Sequence, residues 1–184
     1  MKKILQYCQN YYLKNPAFGI RLFKLFVLFL PVLVIWNLIS EYIITDVLHI
    51  EIPDLFKMFE QKKVPTFVII IMITIFAPLI ETLFFQKWCY QIFFWIIKKL
   101  HSIHSFDLSK SRKISTIITS FFFSLSHYSN HSIYPFLVLP AGLLLGWIYL
   151  SNLEEFNSKS RAYWMTCLFH AFYNGIATLI YLFF

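Results

Sequence analysis

Charged residues are scarce in this sequence, and acidic residues are the scarcest. Only 14% of the 184 residues are charged, with 9 acidic against 16 basic side chains, whereas 59% are hydrophobic. A soluble domain usually carries about a quarter charged residues. Because the apolar residues form continuous blocks of membrane-spanning length and do not alternate with polar ones, they predict membrane helices and exclude a β-barrel. The length suits one helical domain without a separate soluble module.

Other scarcities narrow the class of protein further. The only cysteines, Cys8, Cys89 and Cys167, lack metal-binding spacing, so we expect free thiols or packing residues. The net charge of +7 lies in residues that flank apolar blocks, and no basic and aromatic patch outside those blocks is large enough to bind nucleic acid. The first apolar run begins near Leu22 and passes Leu30, too long for a signal peptide, so we expect it to be retained.

The apolar blocks predict an all-α, polytopic transmembrane bundle of about five spans with an active-site cavity inside the membrane. The spans are expected at about 22–44, 64–98, 114–130, 133–150 and 162 to the end. As one helix, block 64–98 would reach about 50 Å, beyond the ~30 Å apolar core, so it either projects from the membrane or breaks at Pro78.

The positions of the basic residues favour a single crossing for that block. They cluster in 1–24, 98–113 and 159–161, which we expect to face the cytoplasm. Segment 45–63 is mixed in sign and is expected to face outside, along the membrane surface. Two crossings by block 64–98 would conflict with this charge pattern.

Glu81 is the only charged residue between Val64 and Gln86. A carboxylate at the bilayer centre costs about 2.5–3.5 kcal/mol on insertion scales, so such a residue suggests function by default. The alternative is a structural carboxyl, protonated or hydrogen-bonded to a neighbouring helix. Pro78, three residues earlier, cannot donate to the carbonyl of Thr74, so the helix should kink or loosen there.

Two histidines and an amide also lie in the apolar blocks. His127 ends the third block, while His170 and Asn174 are four residues apart on one face of the fifth. Each alone is as compatible with a hydrogen bond between helices as with chemistry, but with Glu81 they form a set that a chemical site would need. We expect His101, His104 and His131 to lie in surface loops, and Gly142 with Gly146 to serve close helix packing.

Three stretches resemble the motifs of the CAAX-protease and bacteriocin-processing family, also called the CPBP or Abi family. Residues 77–86 resemble its Pro-x-x-Glu-Glu-x-x-x-Arg motif, residues 123–127 its Phe-x-x-x-His motif, and residues 170–174 its His-x-x-x-Asn motif. The resemblance covers about 64–184, and residues 1–63 match nothing specific. We therefore expect an N-terminal cytoplasmic segment, first helix and surface loop in 1–63, followed by a protease-like core in 64–184.

The first motif departs from the family pattern at two positions. Thr82 stands in place of the second glutamate, and Gln86 in place of the arginine, four residues later. In the family these two can pair on one helix face. A neutral Thr–Gln contact in place of the ion pair would avoid leaving a buried charge alone, which indicates a concerted structural exchange that spares Glu81.

The resemblance implies an intramembrane endopeptidase acting on a membrane-associated or prenylated protein or peptide. It implies that Glu81 and His127 activate water and that His170 and Asn174 stabilise the oxyanion. The expected neighbours of this site are Pro78, Thr82, Gln86 and Phe123. Glu81, His127 and His170 also resemble a two-histidine, one-carboxylate site for a divalent metal such as zinc, while a metal-free glutamate mechanism is equally compatible.

Two alternatives remain open at this point. One is a non-catalytic bacteriocin-immunity or membrane scaffold protein of the same fold. The other is a haem protein with His127 and His170 as axial ligands, which would leave Glu81 and Asn174 without a role. In each case we expect a multi-pass protein of a bacterial cell membrane, and for the protease a membrane-associated protein or peptide as substrate.

The predicted topology can be checked by cysteine accessibility. Ser105→Cys, in a chain whose three native cysteines are replaced, should react with a membrane-impermeant thiol reagent only from the cytoplasmic side, because segment 98–113 carries the basic residues that stay inside. Labelling of position 105 only from the outside would contradict the five-span topology.

Overall fold

The computed structural model describes residues 16–47, 49–50, 63–101, 107–129 and 132–183. These residues form helices and short connections without a β-strand, which confirms the all-α prediction. Most of the predicted surface segment 45–63 lies outside them, as do His104, His131 and Cys8. Cys89 and Cys167 are free thiols.

Five long helices make up the bundle in the described part of the chain. They are α1 (Pro16–Tyr42, continued by a π-helical turn at Ile43–Val47), α2 (Thr66 to His101), α3 (Leu108–Leu125, followed by a 3-10 turn at Ser126–Ser129), α4 (Tyr134–Phe156) and α5 (Lys159–Phe183). α4 packs against α3 and α5, α2 packs against α3 and α5, and α1 lies on α4 and α5.

Helix α2 is continuous, as the charge pattern favoured, but it is not a regular α-helix. It consists of α-helical Thr66–Ile71, π-helical Met72–Phe76, α-helical Ala77–Glu81, π-helical Thr82–Cys89 and α-helical Tyr90–His101. The loosening expected around Pro78 therefore takes the form of two π-helical stretches, a feature that is often found at functional sites. Glu81 lies between them.

Four of the five helices are long and apolar enough to cross a membrane: Gly19–Val47, Thr66–Leu100, Tyr134–Phe156 and Lys159–Phe183. The exception within the described residues is α3, which the sequence placed at about 114–130. It begins at Leu108 because the Asp107 side chain caps it, accepting from the Ser109 backbone N–H at 3.1 Å, and it ends at Leu125. Its first turns therefore carry basic residues that lower its apolar character.

Most hydroxyl groups of α3 are satisfied inside the bundle, although the buried Ser111 hydroxyl has no hydrogen-bond partner among the described residues. Several donate to the carbonyl one turn earlier, for example Ser115 to Ser111 at 2.7 Å and Thr119 to Ser115 at 2.9 Å. Ser120 also donates across to the Gly142 carbonyl of α4 at 2.9 Å. A helix with many Ser and Thr residues can thus be buried with most of its hydroxyls paired.

Helix α1, outside the stretch that resembles the family, is attached by polar and aromatic contacts. Arg21 donates to Asn152 at 2.6 Å and forms an ion pair with Glu155. The Phe26 ring stacks on Phe169 of α5 with a centroid separation of 5.3 Å. These contacts make α1 part of the same bundle as the core.

The close approach of α3 and α4 generates a stability prediction. A Cβ at Gly146 would lie 2.5 Å from the Ser120 hydroxyl oxygen and 2.8 Å from a Thr116 methyl carbon, whereas one at Gly19 would meet nothing within 4 Å. Gly146→Ala should lower the free energy of unfolding by about 1–3 kcal/mol through overpacking. Gly19→Ala should be neutral or raise it by up to about 1 kcal/mol. Thermal unfolding in detergent measures both, and equal effects would contradict the packing argument.

Candidate functional site

The backbone before Glu81 depends on side chains from α5. The π-helical stretch and Pro78 disturb the usual pairing of carbonyls in α2, and an unpaired carbonyl is costly at membrane depth. Asn174 Nδ2 donates to the Ile73 carbonyl at 3.0 Å, and the Tyr163 hydroxyl donates to the Leu79 carbonyl at 3.2 Å. Helix α5 thus stabilises the loosened part of α2 on both sides of Pro78.

Glu81 and His170 meet across the interface between α2 and α5. The distance from Glu81 Oε2 to His170 Nε2 is 3.7 Å, with side-chain exposures of 27% and 5%. This is longer than a hydrogen bond, and catalytic hydrogen bonds are often long before substrate or water is bound. A partly accessible carboxylate therefore faces a buried imidazole.

Thr82 orients the His170 ring from its other side. The Thr82 hydroxyl oxygen lies 3.4 Å from His170 Nδ1, and the Thr82 side chain is fully buried. A carboxylate only accepts, whereas a hydroxyl can donate, so the two neighbours together favour a neutral imidazole protonated on Nε2. In that tautomer His170 directs an N–H toward Glu81.

His127 lies in the 3-10 turn after α3, and its ring is joined to His170 through Phe123. His127 Nδ1 is 2.9 Å from the Phe123 carbonyl oxygen, which can only accept, so Nδ1 carries a proton and Nε2 is left as an acceptor. The buried Phe123 ring packs against both imidazoles, with centroid separations of 5.0 Å to His127 and 5.9 Å to His170. Phe123 thus occupies space beside both histidines.

Asn174 lies one turn after His170 on the same helix. One of its two amide N–H groups is used by the Ile73 carbonyl. The other N–H remains a donor that could act on a bound group.

Gln86 does not pair with Thr82 as the sequence suggested. Gln86 is 2% exposed, and neither its Nε2 nor its Oε1 has a hydrogen-bond partner among the residues that the structure describes. The hydroxyl of Thr82 faces His170 on another helix instead. The two residues therefore do not replace the family's ion pair with a hydrogen bond of their own.

The side chains do not fit the suggested metal site. In the part of the chain that the structure describes, no group of three His, Cys, Asp or Glu side chains is arranged to hold a metal ion, and this includes Glu81, His127 and His170. His170 directs its two ring nitrogens at Thr82 and Glu81. The metalloprotease expectation is therefore unsupported.

Tyr163 is a residue of this region that the sequence reasoning missed. It precedes His170 by seven residues, two helical turns, so it lies on the same face of α5. That spacing was a usable signal, but its partner, the Leu79 carbonyl, is defined only by the packing of α5 on α2.

A cavity of about 640 Å³ lies elsewhere, at the end of α2 that follows Tyr90, and its lining includes none of Glu81, His127, His170 and Asn174. The cavity predicted around Glu81 remains a prediction.

The chain was compared with protein families and with individual proteins. Residues 63–176, well over half of the chain, match the family model described as type II CAAX prenyl endopeptidase Rce1-like. No curated protein and no solved structure matches it.

The isolated amide of Gln86 generates a stability prediction. Gln86→Leu should raise the free energy of unfolding by about 1–3 kcal/mol, because it removes buried polar atoms that have no partner. Gln91→Leu is the matched control, since Gln91 donates to the Lys87 carbonyl at 2.8 Å and accepts from Lys159 at 2.7 Å. The control should lose stability in the same thermal unfolding measurement. A loss for Gln86→Leu as large as that of the control would show that the Gln86 amide has a partner.

Proposed function

Because the chain belongs to the type II CAAX prenyl endopeptidase Rce1-like family, we propose that it hydrolyses a peptide bond of a membrane-associated or prenylated protein or peptide. Four long apolar helices and this family make it an integral membrane protein. The proposed catalytic core is 64–184, with 1–63 as an N-terminal addition. The resemblance to bacteriocin-processing proteins is the basis for placing it in a bacterial cell membrane.

One observation carries the proposal: the Glu81 carboxylate faces the His170 imidazole at 3.7 Å between two apolar helices. A charge in the bilayer is costly, so a carboxylate with an imidazole partner at this depth suits chemistry better than packing alone. The gap between the two atoms is wider than a hydrogen bond, which leaves room for a small rearrangement around a bound water.

Glu81 is proposed as the base, assisted by His127. Glu81 takes one proton from water, the resulting hydroxide attacks the peptide carbonyl carbon, and Glu81 returns the proton to the amine as the C–N bond breaks. The Nε2 acceptor of His127, assigned from the bond of its Nδ1 to Phe123, suits orientation of that water. Each proton is thereby accounted for without a metal ion.

His170 and Asn174 are proposed as the oxyanion donors. The Nε2–H tautomer favoured by Thr82 and Glu81 provides one donor, and the second N–H of Asn174 provides the other. Donors held in place inside a low-dielectric bundle stabilise developing negative charge strongly. The role of Thr82 in this proposal is to hold the His170 tautomer.

The geometry gives less support to the two alternative functions, a haem protein and a non-catalytic scaffold. A haem held by both histidines would need space beside each imidazole, and Phe123 packs against both rings. The non-catalytic scaffold has the same fold and the same contacts, so only an activity measurement separates it from the protease.

Replacement of the base is the main test of the proposal. Glu81→Gln keeps size and hydrogen-bonding capacity but removes the base, so nearly all proteolysis should be lost while the fold is retained. Proteins that accumulate uncut in native membranes with this variant, identified by mass spectrometry, would be the substrates. Asp46→Asn, an exposed carboxylate outside the site, is the control and should keep full activity. Full cleavage of a verified substrate by Glu81→Gln would contradict the protease mechanism and favour the non-catalytic scaffold.

Replacement of the other proposed site residues should lower activity to different degrees. His127→Ala should behave like Glu81→Gln, whereas Asn174→Ala should lower kcat by about 10²–10³-fold. Since Asn174 also bonds to the α2 backbone, Tyr163→Phe is the matched control, because it removes the other bond from α5 to that backbone. An equal loss of kcat in Tyr163→Phe would assign the Asn174 effect to helix positioning.

A further inference from the structure

The cavity of about 640 Å³ lies where four elements meet: the last turns of α2, the first turns of α3, the end of α4 and the beginning of α5. It is remote from the proposed catalytic residues, because Gln91 in its wall is ten residues beyond Glu81 on α2, about 15 Å along the helix. The proposed peptidase mechanism makes no use of it.

The wall of this cavity carries an excess of positive charge. Its lining includes the cations Lys98, Arg112 and Lys159 and a single carboxylate, Glu154. Arg112 Nη1 is 3.4 Å from that carboxylate, in an exposed geometry that neutralises one charge at most. Lys159 donates to the amide of Gln91 at 2.7 Å, a neutral partner that leaves its charge uncompensated. The cavity is therefore suited to an anion.

A buried donor in the cavity wall also lacks a partner. Tyr90 lines the cavity and is 3% exposed, and within the described part of the chain its hydroxyl has no hydrogen-bond partner. The same side chain is close enough to Arg112 and Glu154 to interact with them electrostatically. A buried hydroxyl without a partner is a donor that a bound anion could satisfy.

The surroundings of the cavity match the interface between lipid and water. Trp95 in its wall is 63% exposed, and Lys99 Nζ lies 5.4 Å from the centroid of that indole ring. Exposed aromatic rings beside lysines are typical of the headgroup level of a bilayer. From here an exposed apolar stripe descends α2 at intervals of four residues, through Ile92, Trp88, Phe84 and Ile80.

We propose that this cavity binds the phosphate of an anionic phospholipid, with Lys98, Arg112, Lys159 and the Tyr90 hydroxyl as ligands and the acyl chains along the exposed stripe of α2. Basic pockets between membrane helices are suited to lipid headgroups. The apolar stripe distinguishes a lipid from free phosphate, because only the lipid gains from it. A lipid held here would join α2 to α3 and α5 at one end of the bundle.

The test measures lipid retention by the full chain and needs no substrate. The protein is released from nanodiscs containing equal parts phosphatidylglycerol and phosphatidylcholine, and native mass spectrometry counts the lipids that remain bound. We expect selective retention of one phosphatidylglycerol. Lys98→Gln should lower this retention about fivefold, because a basic residue near a lipid headgroup contributes on the order of that factor. Lys113→Gln, an exposed cation of α3 outside the cavity, should leave it unchanged.

Two tyrosines provide a second matched pair. Tyr90→Phe and Tyr149→Phe each remove one buried hydroxyl that lacks a partner, but only Tyr90 lines the cavity. Tyr90→Phe should lower retention about tenfold, as expected for loss of a hydrogen bond to a charged group, and Tyr149→Phe should not. Neither variant should lower the thermal stability of the lipid-free protein, so a folding defect would be recognised.

Three outcomes would overturn the proposal. They are equal retention of the two lipids by the unmodified chain, the same loss in Lys113→Gln as in Lys98→Gln, and the same loss in Tyr149→Phe as in Tyr90→Phe. A further arm adds inorganic phosphate alone. If phosphate at millimolar concentration displaces phosphatidylglycerol completely, the site recognises the free anion and the lipid assignment fails.

Discussion

The contact of Glu81 with His170 sets the conditions that the rest of the bundle must meet. A carboxylate inside an apolar bundle depends on partners within the protein, and the His170 imidazole of another helix lies 3.7 Å from the carboxylate of Glu81. α2 and α5 must therefore keep a fixed register. Thr82, directly after Glu81, extends the same interface to the second nitrogen of His170. A shift of either helix by one turn would separate Glu81 and Thr82 from His170.

That register also determines how the backbone of α2 is satisfied. Its two π-helical stretches and Pro78 loosen the helix around Glu81, and Asn174 and Tyr163 of α5 donate to the affected carbonyls. The proposed oxyanion donor Asn174 thus also supports the backbone. The π-helical stretches on either side of Glu81 make α2 locally less stable, and the hydrogen bonds from α5 compensate for this loss of stability.

A face of α2 connects the proposed peptidase site with the basic cavity. Thr82, Gln86 and Tyr90 follow one another at intervals of four residues, and all three are buried. Thr82 contacts His170, Gln86 has no partner, and Tyr90 lines the cavity wall. Polar atoms therefore continue along this face from the proposed catalytic pair toward the proposed lipid site. A displacement of α2 at one site would also displace the side chains of α2 at the other site, because both sites share this helix.

The sequence by itself determined the class of structure and the candidate residues. Continuous apolar blocks require helices in lipid. Polar side chains are costly at membrane depth, so the isolated Glu81 and the pair His170 and Asn174 were recognised as candidate functional residues. The family match over 63–176 agrees with the resemblance drawn from the three motifs. The roles of the individual residues remain a prediction.

Only the tertiary structure decided which of these groups meet. Helix α3 starts six residues before the predicted span because the Asp107 side chain caps it. A cap is a local feature that the periodicity of apolar residues does not report. Thr82 lies four residues from Gln86 in the chain, yet its hydroxyl faces His170, 88 residues away. The cavity likewise joins residues from four helices. Such contacts depend on how whole helices rotate and pack against each other, and the order of residues along one helix does not contain that information.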